Sequence, residues 1–292
     1  MSVDDFFQAY DTLRARWPHG TTTVDLRSAF GTTRVLACGP EGAPPLVLLP
    51  GGGAGATAWL ALAAELGDRH RLYAVDRIGE PGRSVADGRT PATPADLLEW
   101  LGTVLDGLGL GRTHLCGHSY GAWIALTYAL HAPARVNRLA LLDPTQCFAG
   151  FRPGYLLHAL PMLLRPTEAR ARAFLDWECA GLAVDEGWQR QYALGVADFP
   201  SAKVVVGRRP RAAALRDCAA PTLVLLAGRG RAHRPRAVRR GARLLPDVRV
   251  ELLEGASHHS LPMAGAGEVG GRLSAFLADR GPAAQAALGS SL

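Results

Sequence analysis

Hydrophobic positions along the chain follow two rhythms, and their order predicts the architecture. Phe6, Phe7, Tyr10 and Leu13 share one helical face, and Pro18-His19-Gly20 closes that helix in a turn. Residues 22–28 and 32–37 alternate apolar and polar about Gly31, the pattern of an antiparallel hairpin at a sheet edge. From residue 46 the rhythm changes. Residues 46–49 are an apolar run, as expected for a strand buried on both faces of a parallel sheet, and residues 136–142 are read as another buried strand. Further strands are predicted at 72–75, at 113–116, at 222–227 and at 248–253. Helical stretches lie between them: 57–66, then a helix from Thr93 or Pro94 with Leu97, Leu98, Leu101, Leu105 and Leu108 on one face. Another starts after Gly121 and ends near His131-Ala132-Pro133, and a last one covers 268–277. This succession is that of an α/β protein.

The alternation stops between residues 145 and 218. That stretch is helical and amphipathic, rich in aromatics (Phe148, Phe151, Tyr155, Phe174, Trp177, Trp188) and broken at Pro153, Pro161, Pro166 and Pro200. The chain therefore divides into a core of residues 1–144 and 219–280, an insertion at 145–218, and an Ala/Gly/Ser tail at 281–292 expected to be disordered.

The segment that carries chemistry is Thr113-His114-Leu115-Cys116-Gly117-His118-Ser119-Tyr120-Gly121-Ala122. Gly117 to Gly121 match G-x-S-x-G, placed between a strand and a helix, where a serine is held on a pinched turn at a helix N-terminus. A Cβ at either glycine would crowd the neighbouring strand and helix. The plainer alternative is a glycine-rich strand-to-helix turn whose serine only caps the helix.

With these residues the chain resembles the α/β-hydrolase fold family over about residues 22–277. The resemblance implies a mostly parallel eight-stranded sheet with helices on both faces, a lid at 145–218 and a triad in the order serine, acid, histidine. Ser119 falls at the nucleophile. The loop Pro50-Gly51-Gly52-Gly53-Ala54-Gly55 falls where the family supplies an oxyanion-hole N–H, with Pro50 in place of a common histidine. Gly52 and Tyr120 take the donor positions. The segment Asp76-Arg77-Ile78-Gly79-Glu80-Pro81-Gly82-Arg83-Ser84 resembles D-x-x-G-x-G-x-S with one residue inserted by Glu80-Pro81, and its aspartate is expected to order the loop. Gly255-Ala256-Ser257-His258 resembles the loop of the family's histidine, with Ser257 where a second glycine is usual. His258 is the expected base, with His259 one residue away as the alternative. His118 is expected to pack away from the base.

The acid departs from the commonest pattern. The loop after strand 222–227 reads Gly228-Arg229-Gly230-Arg231-Ala232-His233-Arg234-Pro235 and holds no carboxylate. Other branches of the family place the acid after the strand that follows the elbow helix, which here ends at Asp143. The competing reading is a turn aspartate before Pro144. The loop arginines are expected to depress the pKa of the histidine.

Composition adds limits. The chain has 292 residues with 48% hydrophobic content, the size of one large α/β domain or a core with a lid. Five scattered cysteines without C-x-x-C spacing argue against a disulfide framework and a zinc site. The formal charge is +6 and Lys203 is the only lysine. The dense run from Arg229 to Arg243 is either a solvated helix face or an attractor of anions. Nucleic-acid binding has no aromatic interleaving behind it. No basic-apolar leader and no membrane-length apolar run are present, so a cytoplasmic protein without a membrane partner is expected.

Together these imply a serine hydrolase of a small, partly apolar acyl substrate, using Ser119, His258 and Asp143 without cofactor or metal. Its oligomeric state is not encoded in any motif. Two alternatives stand beside it: a ligand-binding relative without turnover, and a lyase or acyltransferase of the same fold.

Overall fold

Each predicted strand joins one sheet. The computed structural model describes residues 3–179, 181–199, 205, 207–263 and 266–279. The expected disordered tail at 281–292 lies outside the described residues. Helix α1 (Val3–Arg14) precedes the hairpin β1 (Thr22–Ser28) and β2 (Gly31–Cys38). Then come β3 (Pro45–Leu49), α2 (Leu60–Leu66), β4 (Arg71–Val75), α3 (Pro94–Gly107), β5 (Thr113–His118), α4 (Tyr120–His131) and β6 (Val136–Leu142). Helices α5 (Pro153–Leu164), α6 (Glu168–Cys179), α7 (Glu186–Asp198) and α8 (Ala212–Arg216) follow without a strand. The chain then continues through β7 (Thr222–Ala227), α9 (Pro235–Ala242), β8 (Val248–Leu253) and α10 (Ala266–Ala278).

The eight strands lie in the order β1-β2-β4-β3-β5-β6-β7-β8. β2 is antiparallel to both β1 and β4; all later pairs are parallel. The period of two along a strand separates two cores. Val47 and Leu49 of β3 face one with α3, α4 and α9, while Leu46 and Leu48 face the other with α2 and α10. Trp100 is fully buried in the first and Trp59 in the second. Helix α3 starts where the sequence places it, because Thr93 and Asp96 form a reciprocal capping box. Trp100 and Val104 complete the buried stripe of Leu97, Leu101 and Leu105, whereas Leu98 and Leu108 sit at its margin.

What matters for the site is where the parallel strands end. Gly117 of β5 is level with Leu49 of β3 and Leu141 of β6. Ser119 N–H donates to Leu142 O at 3.0 Å, and Asp143 N–H donates to Leu225 O at 2.7 Å. Adjacent strands therefore release Ser119 and Asp143 side by side at one sheet edge.

Candidate active site

The turn at Ser119 owes its shape to close backbone approach. An added Cβ would meet Gly121 O at 2.3 Å from Gly117, and Leu49 O at 2.1 Å from Gly121. Only glycine fits either place. Ser119 itself has φ 52°, and Asp143 has φ 41°. Non-glycine residues in this region cost about 1–3 kcal/mol each and persist only where their surroundings hold them. Here both are held by the strand-end hydrogen bonds.

The three expected side chains come together. His258 Nδ1–H donates to Asp143 Oδ2 at 2.6 Å, and Ser119 Oγ stands 2.8 Å from His258 Nε2. All three are nearly sealed, with 9% of Ser119 exposed and 1% of His258 and of Asp143. Thr145 Oγ1 lies 3.4 Å from Ser119 Oγ. Burial alone disfavours the charged imidazolium of His258, yet its pKa lies above the ordinary histidine value because the bond and charge of Asp143, and the charge of Glu178, outweigh burial. The expected depression by arginines is thus overturned. Of those arginines, Arg231 lies over the Trp177 ring at 4.7 Å, and what meets the acid is His233.

His233 Nε2–H donates to Asp143 Oδ1 at 3.0 Å, and Ala227 N–H donates to the same oxygen at 3.0 Å. Burial raises the Asp143 pKa, but its interactions with His233 and His258 prevail and hold the carboxyl far below the usual range. The acid-free loop after β7 therefore contributes a ligand for the acid.

Glu178 of α6 is the second residue that the sequence reading missed. Fully buried, it accepts from His258 N–H at 3.0 Å, from His259 N–H at 3.1 Å and from Ser257 Oγ–H at 3.4 Å. Burial pushes its pKa up, against the backbone N–H groups that pull it down. Its position on the apolar stripe Ala171, Phe174, Leu175 was the available clue, since a carboxylate there must be partnered. The serine in place of the family's second glycine also acquires a use: Ser257 Oγ bonds Glu178 and accepts Ser260 N–H at 3.3 Å.

Two expectations about histidines resolve differently. His118 does not point away from the base loop: its Nε2–H donates to His258 O at 2.8 Å, and the two rings lie 4.9 Å apart. Burial first, then the charge of His258, lowers its pKa to about 3, so it serves as a neutral donor. His259 instead sits among Trp188 and Tyr192, with ring centroids 6.0 and 5.7 Å away. Burial and the charges of His258 and His118 hold it neutral.

The glycine loop after β3 lies against this turn. A Cβ at Gly51 would meet His118 Nδ1 at 2.9 Å and Ser119 Cβ at 3.4 Å, while Gly52 borders open space. Gly53 N–H donates to Glu80 Oε2 at 2.7 Å, and Glu80 pairs with Arg77 at 2.7 Å; Arg77 in turn covers the Tyr120 ring at 4.3 Å. The Glu80-Pro81 insertion thus ties the crossover loop to the glycine loop. Asp76 orders both, accepting from Ala56 N–H, Arg83 N–H and Tyr10 Oη–H at 2.6, 2.8 and 2.8 Å.

Helices α5 to α7 cover the site. Tyr155 of α5 stands edge-on to the His258 ring at 6.2 Å, and Tyr192 of α7 meets the space above Gly53. Among the described residues no cluster of His, Cys, Asp and Glu has the form of a metal site, and no helix is long and apolar enough to cross a membrane.

A model of the alpha/beta hydrolase family matches residues 46–269. The chain belongs to that family. Carboxylesterase YbfK of Bacillus subtilis is 32% identical over 264 residues, 87% of each chain. The uncharacterized carboxylesterase nap of the same organism is 29% identical over 264 residues, covering 87% of this chain and 86% of that one. Among solved structures, B. subtilis naproxen esterase superposes with a TM-score of 0.85 at 28% identity over 94% of this chain and 97% of its own. YbfK superposes with a TM-score of 0.87 at 28% identity, over 94% and 98%. This member of the α/β-hydrolase family is accordingly an enzyme, and its carboxylesterase relatives support ester hydrolysis.

Proposed function

We propose that the chain is a serine carboxylesterase acting on a small, partly apolar ester through Ser119, His258 and Asp143. The observation that carries this reading is the continuous relay from Asp143 Oδ2 through the His258 ring to Ser119 Oγ at 2.6 and 2.8 Å. A serine hydroxyl is a weak nucleophile at neutral pH and needs an adjacent base. In this reading His258 Nε2 takes the Ser119 proton as Oγ bonds to the ester carbonyl carbon. Asp143 fixes the ring's tautomer and stabilises the imidazolium.

The N–H groups of Gly52 and Tyr120 then hold the oxyanion; the glycine loop lying against the Ser119 turn and the helix N-terminus at Tyr120 suit that task. The His258 proton passes to the departing alkoxide. Water, deprotonated by His258, next attacks the acyl-Ser119 carbonyl and releases the acid. Residues 145–218 act as the lid. With so little of Ser119 exposed, ester entry requires α5 to α7 to move. Their aromatic inner surface favours an apolar acyl or alcohol portion. The chemistry assigned here uses no cofactor.

A fluorophosphonate probe tests the reading, followed by a panel of p-nitrophenyl esters. The expected result is stoichiometric labelling of Ser119 with turnover, both lost in Ser119→Ala with the fold intact. Turnover persisting in that variant would remove Ser119 from the mechanism, and absence of labelling in the native chain would favour a binding protein.

A further inference from the structure

Outside the candidate site, a cavity of about 630 Å³ is walled by four arginines. Arg152 precedes α5, Arg209 lies before α8, and Arg234 and Arg240 belong to α9 and its N-cap. No carboxylate lines this space, and none of the four makes an ion pair among the described residues. Phe148 and Leu244 supply apolar wall.

The arginines come from three separate stretches, yet the backbone ties those stretches together. Arg152 N–H donates to Ala232 O at 2.8 Å, joining the start of α5 to the loop that carries Arg234. Trp123 Nε1–H donates to Arg208 O at 3.3 Å, holding the stretch before α8 against α4. Gly241 packs on Phe148, whose carbonyl a Cβ there would meet at 2.7 Å. The backbone contacts hold the three stretches close, so four exposed guanidinium groups without counter-charges border one space, and an anion that bridges them offsets their mutual repulsion. Guanidinium groups recognise planar carboxylate and phosphate oxygens in bidentate fashion.

We propose that this cavity is a binding site for a small organic anion of two or more charges, phosphate or dicarboxylate, carrying an apolar ring or short chain. The charged end meets Arg234, Arg240, Arg152 and Arg209, and the apolar end lies on Phe148 and Leu244. The dense arginine run of the sequence thereby divides by direction. Arg231 lies on Trp177, and Arg234 and Arg240 face the cavity. Arg236 and Arg239 do not line it. The proposal does not depend on the esterase reading.

Titration calorimetry of the full chain at low salt tests it, with phenyl phosphate, phthalate, inorganic phosphate and phenol as probes. Saturable one-to-one binding of phenyl phosphate or phthalate is expected, tighter than inorganic phosphate and absent for phenol; the tighter of the two ring anions identifies the preferred head group. Arg234→Ala/Arg240→Ala should weaken that binding by roughly tenfold or more, as expected for losing charged hydrogen bonds. Arg152→Gln, from a different stretch, should weaken it in the same direction. Arg236→Ala/Arg239→Ala removes the same charge from the same helix outside the cavity and should leave affinity within about twofold, since only long-range charge changes. Absence of saturable binding, equal binding of phenol, or equal losses in the two double variants would overturn the site.

Discussion

His233 Nε2 lies 3.0 Å from Asp143 Oδ1, while His258 Nδ1 lies 2.6 Å from Asp143 Oδ2, so the carboxylate is held between two imidazoles. In the proposed mechanism His233 is a positioning residue, acting through Asp143. His233→Ala leaves Oδ1 with Ala227 N–H alone and frees the carboxylate to turn. The expected effect is a fall in kcat of about tenfold to a hundredfold, from loss of one charged hydrogen bond, with KM nearly unchanged. His233→Gln, which retains a donor, should recover part of the loss. Steady-state kinetics on one ester checks this, and a wild-type kcat for His233→Ala would make the contact incidental.

Asp143→Asn tests the acid itself. Ester hydrolysis should fall on the order of ten-thousand-fold, the scale seen when a triad loses its carboxylate. The pH profile adds a second readout. In the proposed mechanism activity needs neutral His258, whose pKa lies above the ordinary value of about 6.5. Activity is therefore full above the His258 pKa and lost as pH falls through it. Removing the Asp143 charge lowers that pKa, so the acid limb of the residual activity should move to lower pH. A limb that stays in place would separate Asp143 from the titrating group.

The strands and the serine turn were legible because they rest on local rules. Apolar runs mark buried strands, and two glycines mark a turn that admits no Cβ. Asp143 was legible by position, since parallel strands deliver their ends to one edge. His233 and Glu178 were not, because each meets its partner across a long sequence separation, 90 residues for His233 and 80 for Glu178. No local pattern records such pairing, and His118 shows the cost of assuming one. Its place in the elbow motif gave no hint that the ring turns back to the His258 carbonyl.

Glu178→Gln should weaken the fold and shift the pH profile together. The amide presents N–H toward a cluster made of donors, His258 N–H, His259 N–H and Ser257 Oγ–H. A loss of about 1–3 kcal/mol of stability is expected for the unsatisfied groups, read by denaturant unfolding. Because the Glu178 charge helps raise the His258 pKa, the acid limb should also move down, less than in Asp143→Asn. Unchanged stability would show that the loop holds its shape without the carboxylate.

Gly121→Ala places a methyl 2.1 Å from Leu49 O, against backbone that cannot yield. Misfolding or a loss of several kcal/mol is expected, about the upper range for overpacking. Gly111→Ala meets nothing within 4 Å and serves as the comparison, with unfolding midpoints near wild type. Equal midpoints for both would mean that the turn is more compliant than its contacts imply.

Glu178 also bears on how such enzymes diversify. The helices over the site would be the natural part to exchange when a new substrate is wanted, yet one of them carries the carboxylate that shapes the His258 loop. A graft of residues 145–218 from a relative transfers more than pocket walls, and deletion to a short linker strips that loop of its acceptor. Recombination is therefore constrained at one position. Donor helices that bring a carboxylate to the place of Glu178 should yield working chimeras, and those that do not should yield folded cores with a misplaced histidine.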